Sequence, residues 1–250
     1  MEIVYTIVVC SYGLVLGSFF NVVGLRVPKK ESIVRPPSHC TTCNRQLTAL
    51  DLIPVLSYIF LRGKCRGCGQ KIAWIYPFME LVTGLLFVLA YWQLGFSLEF
   101  IVAVLFISLL VIIVVSDIAY MLIPDKVLLF VLPFLIVGRI VSPLEPWWDS
   151  ILGAVVGFCI LYLIAVLSRG GMGGGDIKLF FLLGLVLGTV GALMTLFFAS
   201  IIGMIVGIFI LKARGQGRKT PVPFGPSIAL AAIIVYFYGE EVIAWYIGLL

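Results

Sequence analysis

Two Cys-x-x-C pairs, Cys40-Thr-Thr-Cys43 and Cys65-Arg-Gly-Cys68, are the densest chemical signal in this 250-residue chain. A turn of that length can bring two thiolates onto one ion, and two such turns complete a tetrahedral shell. The pairs are separated by 21 residues, slightly beyond the usual range for a four-cysteine zinc site. Four thiolates leave no open position, so a zinc ion held by Cys40, Cys43, Cys65 and Cys68 is expected to be structural. Gly67 and Gly69 suit tight turns in such a module. Two disulfides are the rival arrangement. His39, the single histidine, adjoins Cys40 and reads as a bystander. Cys10 and Cys159 lie in apolar runs and read as small hydrophobes.

Carboxylates supply the second signal. Asp117 follows the unbroken apolar run Leu109–Val115 and precedes Ile118-Ala-Tyr-Met-Leu-Ile123. If a helix continues to Ile123, Asp117 sits about one and a half turns inside it. Asp176 ends the run Gly170-Gly-Met-Gly-Gly-Gly175 and opens an apolar helix. Capping alone does not need so many glycines, whereas a backbone that bends or admits a substrate chain does. Asp125 follows Ile123-Pro124 and fits an N-cap. Two carboxylates from different helices in a poorly hydrated setting share a proton, so one can activate water while the other protonates a carbonyl oxygen. Asp117 and Asp176 are therefore the expected catalytic pair. With one histidine in the chain, no Ser-His-Asp or Cys-His arrangement is evident. Glu80, just after Tyr76-Pro77, is either a helix N-terminal acid that complements the dipole or a contact to a cationic ligand.

The elements that must position these residues are membrane helices. The sequence is 62% hydrophobic and only 12% charged, against about 25% charged for soluble domains. Eight hydrophobic segments are expected, near 3–25, 76–94, 98–122, 126–142, 149–168, 176–191, 193–211 and 223–239. Small-xxx-small pairs at Gly13/Gly17, Gly153/Gly157, Gly184/Gly188 and Gly203/Gly207 suit close helix packing. The first segment lacks a basic n-region and a small-residue cleavage site, so it reads as a retained helix rather than a signal peptide.

Charge placement predicts topology. Nine of the 17 Lys and Arg lie between Arg26 and Lys71, and four more between Lys212 and Lys219. Basic loops mark the cytoplasmic side, and with the 26–75 loop there, only Arg139 falls near the outer side. That location favours zinc over disulfides, since the cytoplasm keeps thiols reduced. The positive charge is read as topology and attraction to the lipid bilayer, with no nucleic acid as partner. The expected fold class is an all-α polytopic membrane protein of about eight transmembrane helices with a small cytoplasmic zinc-ribbon-like loop.

These residues resemble the type IV prepilin peptidases, the family with a Gly-x-Gly-Asp aspartic site. The likeness runs through Gly17-Ser-Phe-Phe-Asn-Val-Val-Gly-Leu-Arg-Val-Pro28, Arg35-Pro-Pro-Ser-His-Cys40, Ile53-Pro-Val-Leu-Ser57, Leu61-Arg-Gly-Lys-Cys-Arg-Gly-Cys68 and Tyr76-Pro-Phe-Met-Glu80. It continues at Asp117 and Asp125, at Gly173-Gly-Gly-Asp-Ile-Lys-Leu179, and at Pro223-Phe-Gly-Pro226. Ile75, Thr41 and Leu52 stand where the family commonly has Arg, Pro and Asn. The short form is similar to the competence-type branch.

The resemblance implies a multi-pass enzyme of the bacterial cell membrane with its catalytic side and cysteine loop in the cytoplasm. It would cut prepilin or pseudopilin precursors after a glycine ending a short basic leader. It would then N-methylate the new terminus with S-adenosylmethionine. The family's catalytic aspartates fall on Asp117 and Asp176. Gly173, Gly175, Lys178 and Glu80 are candidate substrate or cofactor contacts. Methyl transfer would belong to residues 1–95, which include the loop, and peptide cleavage to residues 96–250. A membrane transporter or scaffold with a zinc-ribbon docking loop is the alternative. Proton relays also use paired membrane aspartates, but they spread them across the bilayer rather than gather them on one side.

Overall fold

The computed structural model describes residues 1–168, 172–214 and 222–248, without the side chains of residues 211, 213 and 214. Seven long helices carry most of the chain: α1 (Glu2–Arg26), α3 (Ile75–Leu94), α4 (Leu98–Tyr120), α5 (Asp125–Val141), α6 (Asp149–Leu167), α7 (Gly174–Arg214) and α8 (Gly225–Ile247). A short α2 (Leu56–Phe60) and a 3₁₀ turn at Ala49–Leu52 lie in the loop before α3. No strand occurs among the described residues, in line with the all-α expectation.

Six helices are long and apolar enough to cross a membrane. That number treats α7 as one, although Gly188 (φ 72, ψ −175) breaks it into two legs. The 17-residue α5, with Pro133 inside, is just short of the usual span. The eight expected segments thus correspond to seven long helices, one of them broken. The break falls at Gly188 rather than between residues 191 and 193. Large apolar side chains point outward, as lipid-facing surfaces require: Leu129 and Phe130 are each 69% exposed.

The chain forms two compact units, Met1–Val115 and Ser116–Leu250. In the first, α1 packs on α3 through glycine. A Cβ on Gly13 would stand 2.8 Å from Gly84 Cα, and one on Gly17 would stand 2.9 Å from Glu80 Cα. In the second, Gly153 and Gly184 bring the backbones of α6 and α7 together, and Gly157 meets the Phe180 carbonyl at 2.7 Å from its would-be Cβ. Gly203 backs onto the Phe224 ring, whereas Gly207 faces open space and needs no small residue for packing.

Polar side chains stitch the break in α7. Asp149 accepts from the Thr189 backbone N–H at 3.1 Å and from its hydroxyl at 2.6 Å, capping the second leg. Arg139 donates to the Val186 carbonyl at 2.7 Å, near the end of the first leg. Arg139 is the basic residue that departs from the charge topology. It is buried, with its charge directed at helix-end carbonyls.

Candidate functional site

Helix α4 ends at Tyr120, three residues earlier than the apolar run suggests, because Met121 turns left-handed at φ 53. The Met121 N–H still bonds the Asp117 carbonyl at 2.8 Å, and the Ser116 hydroxyl donates to the Leu122 carbonyl at 2.5 Å. This tight exit keeps Asp117 in the last turn of α4, where it is buried. Its Oδ2 accepts the Gly225 N–H at 2.7 Å. The α8 N-terminus thus holds Asp117 in place, and Pro226 follows at a position where a missing N–H costs nothing. There is no room for a side chain on Gly225, since a Cβ would sit 2.8 Å from Asp117 Oδ2.

Asp176 lies in the first turn of α7, which starts at Gly174. Its N–H bonds the Gly173 carbonyl at 3.1 Å, and a Cβ on Gly173 would approach Asp176 Oδ2 to 3.1 Å. Gly175 fits under Ile123, with its would-be Cβ 2.7 Å from the Ile123 Cβ. The segment leaving Asp117 and the segment entering Asp176 are therefore packed together. Asp176 is half-buried. Of the glycine run, Gly170 and Gly171 lie outside the described residues.

Asp125 is not an N-cap. Pro124 holds that position and Asp125 begins α5, its carboxylate paired with Lys178 Nζ at 2.7 Å. Both side chains are more than half exposed. Lys178 is thus engaged with Asp125, and both line an apolar cleft of about 300 Å³ together with Leu128, Leu129, Phe158 and Phe181.

The four loop cysteines converge. The Sγ atoms of Cys40, Cys43, Cys65 and Cys68 all lie within 4.8 Å of one another, and Cys40 and Cys68 are 3.7 Å apart. A tetrahedral shell with Zn–S near 2.3 Å needs sulfurs about 3.8 Å apart, so the set fits zinc. The two knuckles are alike: Asn44 N–H bonds the Cys40 carbonyl and Gly69 N–H the Cys65 carbonyl, each at 2.9 Å. Each turn ends on a left-handed residue, Asn44 at φ 54 and Gly69 at φ 72. Gly67 has no such backbone demand, and meets the Arg45 side chain instead.

Backbone N–H groups of Cys43 and Thr42 pull the Cys40 thiol down to about 6. Cys68 receives similar help from Gln70, yet burial and the neighbouring thiols push it up to about 11. A zinc ion would take all four as thiolates, so its binding would release protons. Asp51 joins the knuckles, pairing with Arg45 and Arg66 at 3.1 Å each. The Thr48 N–H, followed by burial working in opposition and then the two arginines, holds its carboxyl below the usual range. His39 turns its Nδ1 to the Pro37 carbonyl at 3.0 Å.

Glu80 is in the second turn of α3, buried, and accepts the Val55 N–H at 2.8 Å. Gly225, Asp51 and Val55 were not singled out by residue type. Only the Pro223–Pro226 and Ile53–Ser57 motifs pointed to two of them.

Comparison with known proteins fits this geometry. The bacterial peptidase A24 N-terminal domain matches residues 11–94, and the type IV leader peptidase family matches residues 104–208. A prepilin leader peptidase/N-methyltransferase of Bacillus subtilis is 46% identical over 236 residues, covering 94% of this chain and 95% of its own length. The chain belongs to the type IV leader peptidase family. Proteins of the same name from Pseudomonas putida and Xanthomonas campestris are 34% and 33% identical, covering 98% and 94% of the chain and 94% and 92% of their own lengths. No solved structure matches. Family membership makes the chain a multi-pass membrane peptidase, which sets aside the transporter or scaffold alternative.

Proposed function

We propose that this peptidase removes the leader from prepilin or pseudopilin precursors at the cytoplasmic face of the bacterial cell membrane, with Asp117 and Asp176 as its catalytic pair. The observation that supports the reading is the packing of the segment leaving Asp117 against the segment entering Asp176 through Gly175 and Ile123, with the Asp117 carboxylate held by the Gly225 N–H.

Two carboxylates sharing one proton can hydrolyse a peptide without a metal or a covalent intermediate. The ionised member takes a proton from water as the oxygen attacks the scissile carbonyl carbon. The protonated member gives its proton to the carbonyl oxygen. Collapse of the tetrahedral intermediate then returns a proton to the departing amine. The Gly225 N–H fixes one oxygen of Asp117, so its carboxylate is presented in a set orientation. Gly173 and exposed Gly174 leave the approach to Asp176 open for an extended substrate chain. The bilayer would hold the apolar part of the precursor.

The names of the relatives support a second activity, N-methylation of the new terminus, with S-adenosylmethionine as methyl donor. We assign it to residues 1–95, with a structural zinc on Cys40, Cys43, Cys65 and Cys68 organising the loop. Peptide cleavage falls to residues 96–250.

The test is incubation of purified protein in detergent with a precursor pilin, followed by mass measurement. Wild type should release the leader. Asp117→Asn and Asp176→Asn keep size and hydrogen bonding but cannot act as base, and each should abolish cleavage in a folded protein. Cleavage at the wild-type rate by either variant refutes the pairing. Both variants should still methylate pre-cleaved pilin.

A further inference from the structure

The N-terminal unit contains a polar cluster that the cleavage pair does not use. Three of its sequence motifs meet there. Glu80, from Tyr76–Glu80, is 9% exposed and accepts the Val55 N–H from Ile53–Ser57. Gly17, from Gly17–Asn21, packs against the same residue, its would-be Cβ 2.9 Å from Glu80 Cα. Asn21 lies one turn further along α1 and is 5% exposed. Its Nδ2 donates to the Tyr76 carbonyl at 3.1 Å, while its Oδ1 is buried with no partner. Gly17 and Asn21 share a face of α1, as Tyr76 and Glu80 share a face of α3. Asn21 Oδ1 and the Glu80 carboxylate therefore sit on neighbouring turns of the same interface.

The backbone beside Glu80 is strained. Val55 has φ 60 and ψ −50, and the Leu56 N–H reaches over it to the Pro54 carbonyl at 2.5 Å. That is a γ-turn of the rare, unfavourable hand, and a β-branched residue occupies its centre. Such outliers cluster at binding and catalytic sites. Here the turn aims the Val55 N–H at Glu80.

We propose that Glu80 and Asn21 bind a primary ammonium group, the new N-terminus of the cleaved precursor. The proposal rests on the methyl-transfer reading and names the acceptor's place within it. A carboxylate offers about four acceptor positions, of which the Val55 N–H takes one, and an amide oxygen offers two more. An ammonium brings three donors and one charge. It fills the orphaned Oδ1 and meets the carboxylate at once. A sulfonium centre carries charge but no N–H, so it would leave Oδ1 unfilled.

Glu80 is also placed to accept the proton that blocks reaction. When the ammonium gives that proton to the carboxylate, the nitrogen lone pair is free to bond the methyl carbon of a sulfonium donor. The carbon–sulfur bond breaks and sulfur keeps the electron pair. The product is a methylated ammonium, and the Glu80 proton passes to water.

The experiment uses the full chain in detergent and two peptides with the sequence of a pre-cleaved pilin N-terminus, one with a free α-amine and one N-acetylated. Wild type should bind the free amine at least about ten-fold tighter, the scale of one charge-assisted hydrogen bond. Glu80→Gln and Asn21→Leu should each lose that preference and keep the affinity for the acetylated peptide. Glu80→Asp, which keeps the charge, should restore part of it. A preference unchanged in both Glu80→Gln and Asn21→Leu overturns the site, as does loss of S-adenosylmethionine binding with amine preference intact. If Glu80→Gln does not fold, Asn21→Leu decides, and an undiminished preference there is equally fatal. Wild type that leaves the free-amine peptide unmethylated with S-adenosylmethionine sinks the methyl-transfer reading instead. Methylation without amine preference sinks only this site.

Discussion

Replacing Gly225 with alanine sets local propensity against the geometry of the site. By propensity, alanine early in α8 should be neutral or better, since glycine in a helix costs about 0.5–1 kcal/mol relative to alanine. The site requires the opposite. An added Cβ would stand 2.8 Å from Asp117 Oδ2, 2.9 Å from its Cβ and 3.0 Å from its Cγ. Asp117 is 7% exposed and cannot swing away freely. Relief must separate the Gly225 N–H from Oδ2, now 2.7 Å apart. A hydrogen bond to a charged group contributes roughly 1.5–3 kcal/mol, and each ~1.4 kcal/mol is a factor of ten in rate. Gly225→Ala should therefore cleave roughly ten- to hundred-fold more slowly. The loss should fall in kcat rather than KM, because Asp117 acts on water and carbonyl rather than on the leader. The assay is leader release from a precursor pilin at varied concentration, with thermal unfolding as the folding control. Gly207→Ala, where nothing lies within 4 Å of the new Cβ, should cleave like wild type. A folded Gly225→Ala enzyme with undiminished kcat would refute the role of the α8 N-terminus.

Two further outcomes follow from the remaining geometry. Purified protein should contain about one zinc per chain, and Cys40→Ser or Cys68→Ser should lower that content by metal analysis and reduce methylation more than cleavage. Metal-free protein with both activities intact would remove the zinc assignment. Asp125→Asn breaks an exposed ion pair with Lys178, which contributes only about 0–1 kcal/mol. It should keep measurable cleavage, and a loss as deep as that of Asp117→Asn would mean Asp125 belongs to the reacting pair.

Hydropathy located the helices well, because a lipid-facing helix must be apolar along its whole length. The same uniformity hid the break in α7. Leu185-Val-Leu187 before Gly188 and Thr189-Val190 after it are mostly apolar, so composition carries no mark of the interruption. The marks lie elsewhere, in Asp149 and Arg139, whose partners are the backbone ends of the broken helix. Read from charge placement alone, Arg139 is simply the one exception to the charge rule. The end of α4 was set too late for a related reason. Ile118–Ile123 looks continuous, but a left-handed Met121 cuts it.

The site divides along the same line. The convergence of the four cysteines was legible, and Asp117 and Asp176 are proposed on the same ground, because such chemistry resides in the side chain and an ionisable group amid apolar residues stands out. What holds them was less legible. Asp117 is bonded to Gly225 across 108 residues, Glu80 to Val55 across 25, and Arg139 to Val186 across 47. In each case the partner is a backbone N–H or carbonyl, which every residue but proline can supply in full. Residue type then records the contact only where geometry forbids a side chain, as at Gly225; the left-handed turn at Val55 is centred on a residue type that gives no sign of it. Pro223-Phe-Gly-Pro226 and Ile53-Pro-Val-Leu-Ser57 contain no titratable group. Their place beside buried carboxylates accounts for them better than any chemistry of their own: they are the backbone sockets into which Asp117 and Glu80 fit.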